Sequence, residues 1–256
     1  METPKNLAPS CKNCGEALQG NFCSNCGQSA HIERVSFKSL LEDLSSSIFS
    51  LNAGFFFTYI QLFKRPGFSI REFLEGKRKA YVRPIAYLIT ASTIYFFLAI
   101  LLNQNTFIND FLTGFSSAEQ ASADALPKNP ILDWFSKNYA YTVLLLIPVF
   151  SLASGICFRS ERRNFLEHMV LNSYITGQQS FIYVSFNILN SIFPNDFFEI
   201  SPLFISVAYN FWVYQEFFQK GKTWVKPIKT LLTYLLFLFF ILICFFIMMA
   251  IQKLYL

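Results

Sequence analysis

Charge is scarce in this sequence. Only 14% of its 256 residues are Asp, Glu, Lys or Arg, against about 25% in a soluble domain. Histidine is limited to His31 and His168, which stand far apart. No Walker loop, dinucleotide fingerprint or nucleophile elbow is present, so a non-enzymatic protein is expected. Glycine and proline number 10 each, which excludes collagen and low-complexity disorder. The six cysteines are too few and too clustered for a disulfide scaffold. What is abundant is apolar mass: 53% of the residues are hydrophobic and 32 are Phe. A water-soluble fold of this length is not expected from such a composition.

The apolar residues fall into five blocks of about 20 residues, the length that crosses a bilayer as a helix. They run Pro84–Leu102, Tyr139–Phe158, Val170–Phe193, Ile200–Phe218 and Thr230–Ile251. None holds Lys, Arg or Asp, and Glu216 lies near the end of the fourth. Five spans place 18 of the 21 Lys and Arg on one side, the asymmetry that marks cytoplasmic loops. The sequence therefore predicts an all-α integral membrane protein, a five-span helical bundle over residues 84–256, with its N-terminus cytoplasmic and its C-terminus outside. The opening METPKNLAPS lacks the apolar stretch of a cleaved signal, so no cleavage is expected. Nucleic acid is not an expected partner, because the cations hug the span ends and form no single patch. Anionic headgroups are.

The strongest local signal lies in residues 1–30, where Cys11-Lys-Asn-Cys14-Gly15 is followed by Cys23-Ser-Asn-Cys26-Gly27. Two such turns can complete a tetrahedron of thiolates around one metal. Each following glycine permits the left-handed backbone that brings amides toward the sulfurs. Disulfides conflict with a cytosolic head, a redox pair is usually a single motif, and iron is chemically feasible. Structural zinc held by Cys11, Cys14, Cys23 and Cys26 is the expectation. Four thiolates leave no open position for chemistry, and the metal would supply the folding energy of a head with almost no core.

Residues 31–83 read as short amphipathic helices and a basic linker lying at the membrane interface. Phe37, Leu40, Leu41, Leu44, Ile48 and Leu51 recur at helical steps, with Ser36 as a start signal. Phe55 to Phe63 is a second run, too short to span. Pro66-Gly67 is expected to stop it, and Ser69 to Glu75 to form a third helix ended by Gly76. The tandem Cys-x-x-Cys-Gly head, Arg65-Pro66-Gly67, Gly76-Lys77-Arg78 and Tyr81-x-x-Pro84-x-x-Tyr87 together resemble an uncharacterised bacterial family of multi-span membrane proteins with a zinc-ribbon-like head. The resemblance covers roughly Cys11 to Phe97. It implies a bacterial inner-membrane location and transfers no activity.

One polar pattern stands inside the third block. Asn172, Thr176, Gln179, Tyr183, Asn187 and Asn190 fall within a stripe about 80° wide at 100° per residue. Such a stripe faces other helices or a polar cavity. Two functions follow: a binding or assembly component whose head docks a protein partner, or a transporter or lipid-handling protein that uses the stripe.

Overall fold

A computed structural model describes residues 10–40, 53–110, 134–135 and 137–255. Among these the chain is helical, with no strand beyond two isolated bridges in the head. The longer helices are α1 (Ala53–Lys64), α2 (Pro66–Glu75), α3 (Pro84–Leu101), α4 (Tyr139–Cys157), α5 (Phe165–Ile192), α6 (Asp196–Phe217) and α7 (Val225–Tyr255). Ser36 and Ser39 close a reciprocal capping pair where the first amphipathic run begins. The remainder of that run, Leu41 to Leu51, lies outside the described residues, as do residues 111–133 between α3 and α4.

α1 ends at Lys64, just before Pro66 as expected, and Pro66 also opens α2, at the first position where a missing amide proton is harmless. Gly76 ends α2 with φ +120, a conformation that disfavours any side chain. On α1, Phe56, Ile60 and Phe63 are exposed at steps of four and three, so they share one face.

Side-chain pairs set the direction of each later helix. Tyr87 meets Gln178, Ser92 meets Ser180 and Gln104 meets Asn190, so α3 and α5 run parallel. Ser154 with His168 and Ser151 with Asn172 run α4 antiparallel to α5, and Tyr214 with Asn172 and Ser206 with Gln179 do the same for α6. Lys229 reaches Ser160, and Phe150 packs on Tyr234 and Phe237, which lays α7 antiparallel along α4.

Three of these five helices are long and apolar enough to cross a membrane: Pro84–Leu101, Tyr139–Cys157 and the Val225–Cys244 part of α7. Of the five expected spans, length and composition support these three among the described residues. The third and fourth expected spans do form helices, α5 and α6, but both are diluted by polar side chains. Asn172, Gln178, Gln179, Asn187 and Asn190 occupy α5, and Ser206, Asn210, Gln215 and Glu216 occupy α6. Such a helix gains less from the hydrocarbon core than one built of Leu, Ile and Phe.

The main core lies at one end of the bundle, where it meets a collar formed by α1, α2 and the linker up to Arg83. Phe55, Leu62, Ile70, Phe73, Tyr81, Tyr87, Tyr174 and Tyr214 belong to it. Its tyrosines pack as rings and discharge their hydroxyls locally: Tyr174 donates to Val82 O at 2.5 Å and Tyr209 to Leu62 O at 2.9 Å. Burial without those acceptors would leave each hydroxyl desolvated and unpaired.

Candidate metal centre and its seat

The head is two copies of one turn. Gly15 N donates to Cys11 O at 2.8 Å, and Gly27 N to Cys23 O at 2.9 Å. Cys11 N then reaches Glu16 O, and Cys23 N reaches Gln28 O. Gly15 and Gly27 have φ +81 and +71, the left-handed turn their position after each Cys pair requires. Neither has a neighbour within 4 Å of where a Cβ would stand, so the constraint is conformational.

All four sulfurs lie within 4.8 Å of one another, and the thiols are free. Cys11 Sγ is 3.6 Å from Cys26 Sγ, and Cys14 Sγ is 3.5 Å from Cys23 Sγ. A tetrahedral metal with sulfurs at about 2.3 Å separates them by about 3.8 Å. The donor set therefore fits a tetrathiolate ion with little adjustment. The backbone amide of Cys26 pulls the Cys23 thiol down to about 7, assisted by that of Asn25 and opposed by burial.

The head is fastened to the collar chiefly by Gln28 and Asn13, for which the sequence suggested no role. Gln28 is 6% exposed. It donates to Gly76 O at 2.9 Å and accepts from the amides of Arg78 and Lys79, each at 3.0 Å. Asn13, between the first two ligands, accepts from Ala80 N at 3.2 Å. Arg78 donates to Glu33 O at 2.7 Å. Beyond the head, Arg34 holds Glu167 at the start of α5 through two bonds of 2.9 and 3.0 Å. Only Glu167 had a local signature: Asn164-x-x-Glu167 is a capping box, and both of its bonds are formed. The partners of Gln28 lie about fifty positions away, which no spacing rule reveals.

Within the collar, Glu72 joins Tyr81 and Lys77. Its carboxylate accepts from Tyr81 OH at 2.7 Å and Lys77 Nζ at 3.1 Å. Burial alone would raise Glu72, but these two donors outweigh it and hold the acid below the usual range. Burial, helped by that carboxylate, pushes the Tyr81 hydroxyl up to about 12.

The residues of the α5 stripe separate into different surroundings. Asn172 is buried and saturated: it donates to Ser151 and Ser154 and accepts from Tyr214. Gln179 donates to Ser206 O at 2.9 Å, and Asn190 bridges Gln104 and Asn195 N. Tyr183 packs on Tyr95 and Phe107. Thr176 is half-buried, and Asn187 has a buried amide nitrogen without an acceptor. The stripe is thus shared among α3, α4 and α6 rather than gathered around one centre. His31 is exposed, while His168 is buried against Ser154 at 2.9 Å.

Residues 52–96 match a protein family described as a protein of unknown function (DUF3667). That stretch holds α1, α2, the Gly76 linker and most of α3. No curated protein and no solved structure matches the chain. The matched stretch coincides with the seat of the head and its joint with α6, not with the metal turns themselves.

Proposed function

We propose that this is a non-enzymatic bacterial inner-membrane protein whose structural zinc head, seated on an interfacial collar, docks a cytosolic protein partner. The observation that carries the reading is Phe22, 67% exposed in the turn between the two Cys pairs of a rigidly fastened head. An aromatic held out on a metal-braced turn is the kind of anchor on which interfaces concentrate their affinity. Loss of such an anchor weakens binding by about 2 kcal/mol or more, roughly 30-fold. In a detergent pull-down, a partner retained by the wild type should be lost with Phe22→Ser and with Cys11→Ser. It should be retained with Phe56→Ser, which removes an exposed aromatic from α1. Equal recovery by all three variants would end the docking reading.

The proposed placement has α1 lying at the interface on Phe56, Ile60 and Phe63, with Lys64 and Arg65 among the headgroups. We extend it to α5 and α6 crossing beside the three apolar helices. Two features support this. α5 is parallel to α3 and reaches Gln104 beyond its far end, and the outer face of α6 shows Phe197, Ile200, Leu203 and Phe204. Reporters fused after Lys79, Arg163 and Lys226 should read cytoplasm, and those at Asn195 and Leu256 outside. If α5 and α6 do not cross, Asn195 alone changes side, because two helices leave the count together.

A second reading, transport or lipid handling along α5, draws on Ser173 Oγ and Asn210 Oδ1, buried polar atoms without a partner. Buried groups of this kind often hold water. Single cysteines at Thr176, Gln179 and Tyr183, placed in a chain lacking Cys157 and Cys244, would be probed in membranes with a water-soluble thiol reagent. Protection of all three is the expected outcome, since Gln179 and Tyr183 already have protein partners. Labelling of all three would favour the second reading.

A further inference from the structure

Four thiols within 4.8 Å of one another are open to more chemistry than metal binding, and they are not equally reachable. Cys11 and Cys23 are 4% and 3% exposed, whereas Cys14 is exposed and Cys26 half-buried. In each turn the second cysteine faces solvent and the first is covered. Contacts across the turns pair a reachable sulfur with a covered one: Cys14 Sγ with Cys23 Sγ at 3.5 Å, and Cys26 Sγ with Cys11 Sγ at 3.6 Å. A metal-bound thiol is already a thiolate, and thiolate character combined with exposure is what admits an oxidant. A second sulfur poised beside the first stops such oxidation at a disulfide.

We propose that the head is a peroxide-responsive switch in which Cys14 is oxidised first and captured by Cys23, with Cys26 and Cys11 following as the second pair. The Cys14 thiolate attacks one oxygen of hydrogen peroxide, the O–O bond breaks and hydroxide leaves, giving a sulfenic acid. The Cys23 thiolate then attacks that sulfur, the S–O bond breaks and a second hydroxide leaves. Two electrons pass from two thiolates to one peroxide, and one disulfide forms. That bond consumes two of the four donors, which releases the metal. A second peroxide closes Cys26 on Cys11 in the same way. Both bonds join one turn to the other. Asn13 lies in the first turn and Gln28 follows the second, and both hold the linker, so the oxidised head should stay assembled on its seat. A thiol reductant reopens both bonds and restores the site. The inference rests on the thiolate metal head proposed above, which the zinc content before oxidation tests separately.

The purified full chain would be given one and then two equivalents of hydrogen peroxide, alkylated, and digested with trypsin and a Glu-specific protease. These separate residues 6–12, 13–16 and 17–33, whose linkage mass spectrometry reads. One equivalent should join 13–16 to 17–33, and two should bring 6–12 into the same species. Zinc should fall from about one per chain to none as the first bond forms, and dithiothreitol with added zinc should restore it. In the undigested protein the Lys77–Lys79 linker should stay shielded from trypsin after oxidation, unlike after chelation. Chelated protein given peroxide is the comparison. With the turns unfolded, cysteines three apart in sequence meet most readily, so 6–12 should join 13–16 while 17–33 closes on itself.

Several results would overturn the proposal. The same pairing within each turn in the metal-loaded protein would mean that the fold does not direct the oxidation. Sulfinic or sulfonic acid at Cys14 would mean that Cys23 does not capture it, and a first bond between Cys11 and Cys26 would place the entry point in the other turn. Full zinc occupancy under excess peroxide would leave no switch. Cleavage of the linker after oxidation would show that the disulfides do not keep the head on its seat.

Discussion

Gly67→Ala should destabilise the protein by about 3 kcal/mol or more, among the larger effects of a single methyl group. A Cβ at position 67 would overlap Phe217 N and stand 2.7 Å from Glu216 Cβ. Two of its three nearest neighbours are backbone atoms, which cannot rotate away as the end of a side chain can. Relief requires α2 to move off α6, and the joint between them is reciprocal. Gly67 N donates to Glu216 Oε2 at 2.7 Å, which satisfies an orphan amide at the α2 N-terminus. In return Arg71 donates to the carbonyls of Glu216 and Phe217 at the α6 C-terminus. Opening the joint would leave these largely buried groups without partners, at about 1 to 3 kcal/mol for each neutral group left unsatisfied. Thermal unfolding in detergent measures the effect, with Gly20→Ala as the comparison, since nothing lies within 4 Å of a Cβ there. Equal melting temperatures for the two variants would show that α2 and α6 are not in close contact.

Cys11→Ser, or removal of the metal by a strong chelator, should unfold the head and leave the helical bundle standing. The apparent binding free energy of a structural zinc is about 10 to 16 kcal/mol in small zinc-dependent peptides. The head has no other source of comparable size. Elemental analysis should give about one zinc per wild-type chain and none for Cys11→Ser. Iron in the wild type would correct the assignment of the metal.

The fastening of the head adds a second readout. Gln28 holds Gly76 O and the amides of Arg78 and Lys79 only while the turn after Cys26 is formed. Loss of the metal should therefore expose the Lys77–Lys79 linker to trypsin, while the helical signal and the unfolding of the bundle change little. Continued protection of the linker would show that the head folds without its metal.

The contrast between these two experiments follows the contrast between local and distant information. The candidate metal ligands were legible because both Cys pairs, their spacing and their glycines lie within 17 consecutive residues, and coordination geometry restricts what such a pattern can do. The helices α1 to α7 were legible in outline because apolar periodicity acts over a few turns. The positions of Pro66 and Glu216 were equally visible, but not what they do. Pro66 read only as a stop, and α1 does end before it, but a proline begins the next helix as readily as it ends the last. Glu216 looked like a charge at the end of a span until α2 supplied an amide for it.

The number of spans is not legible in composition for a related reason. A polar helix enclosed by neighbours and an apolar helix facing lipid are both long helices, and only the packing of Asn172, Gln178 and Gln179 against Ser151, Tyr87 and Ser206 separates them. Local composition thus determined which segments became helices and which four thiols come within 4.8 Å of one another. The close approach at Gly67, the seat of Gln28 and the hold of Arg34 on Glu167 were decided by tertiary structure. Each joins residues 48 to 149 positions apart, and a hydrogen bond over that separation leaves no periodicity in the sequence.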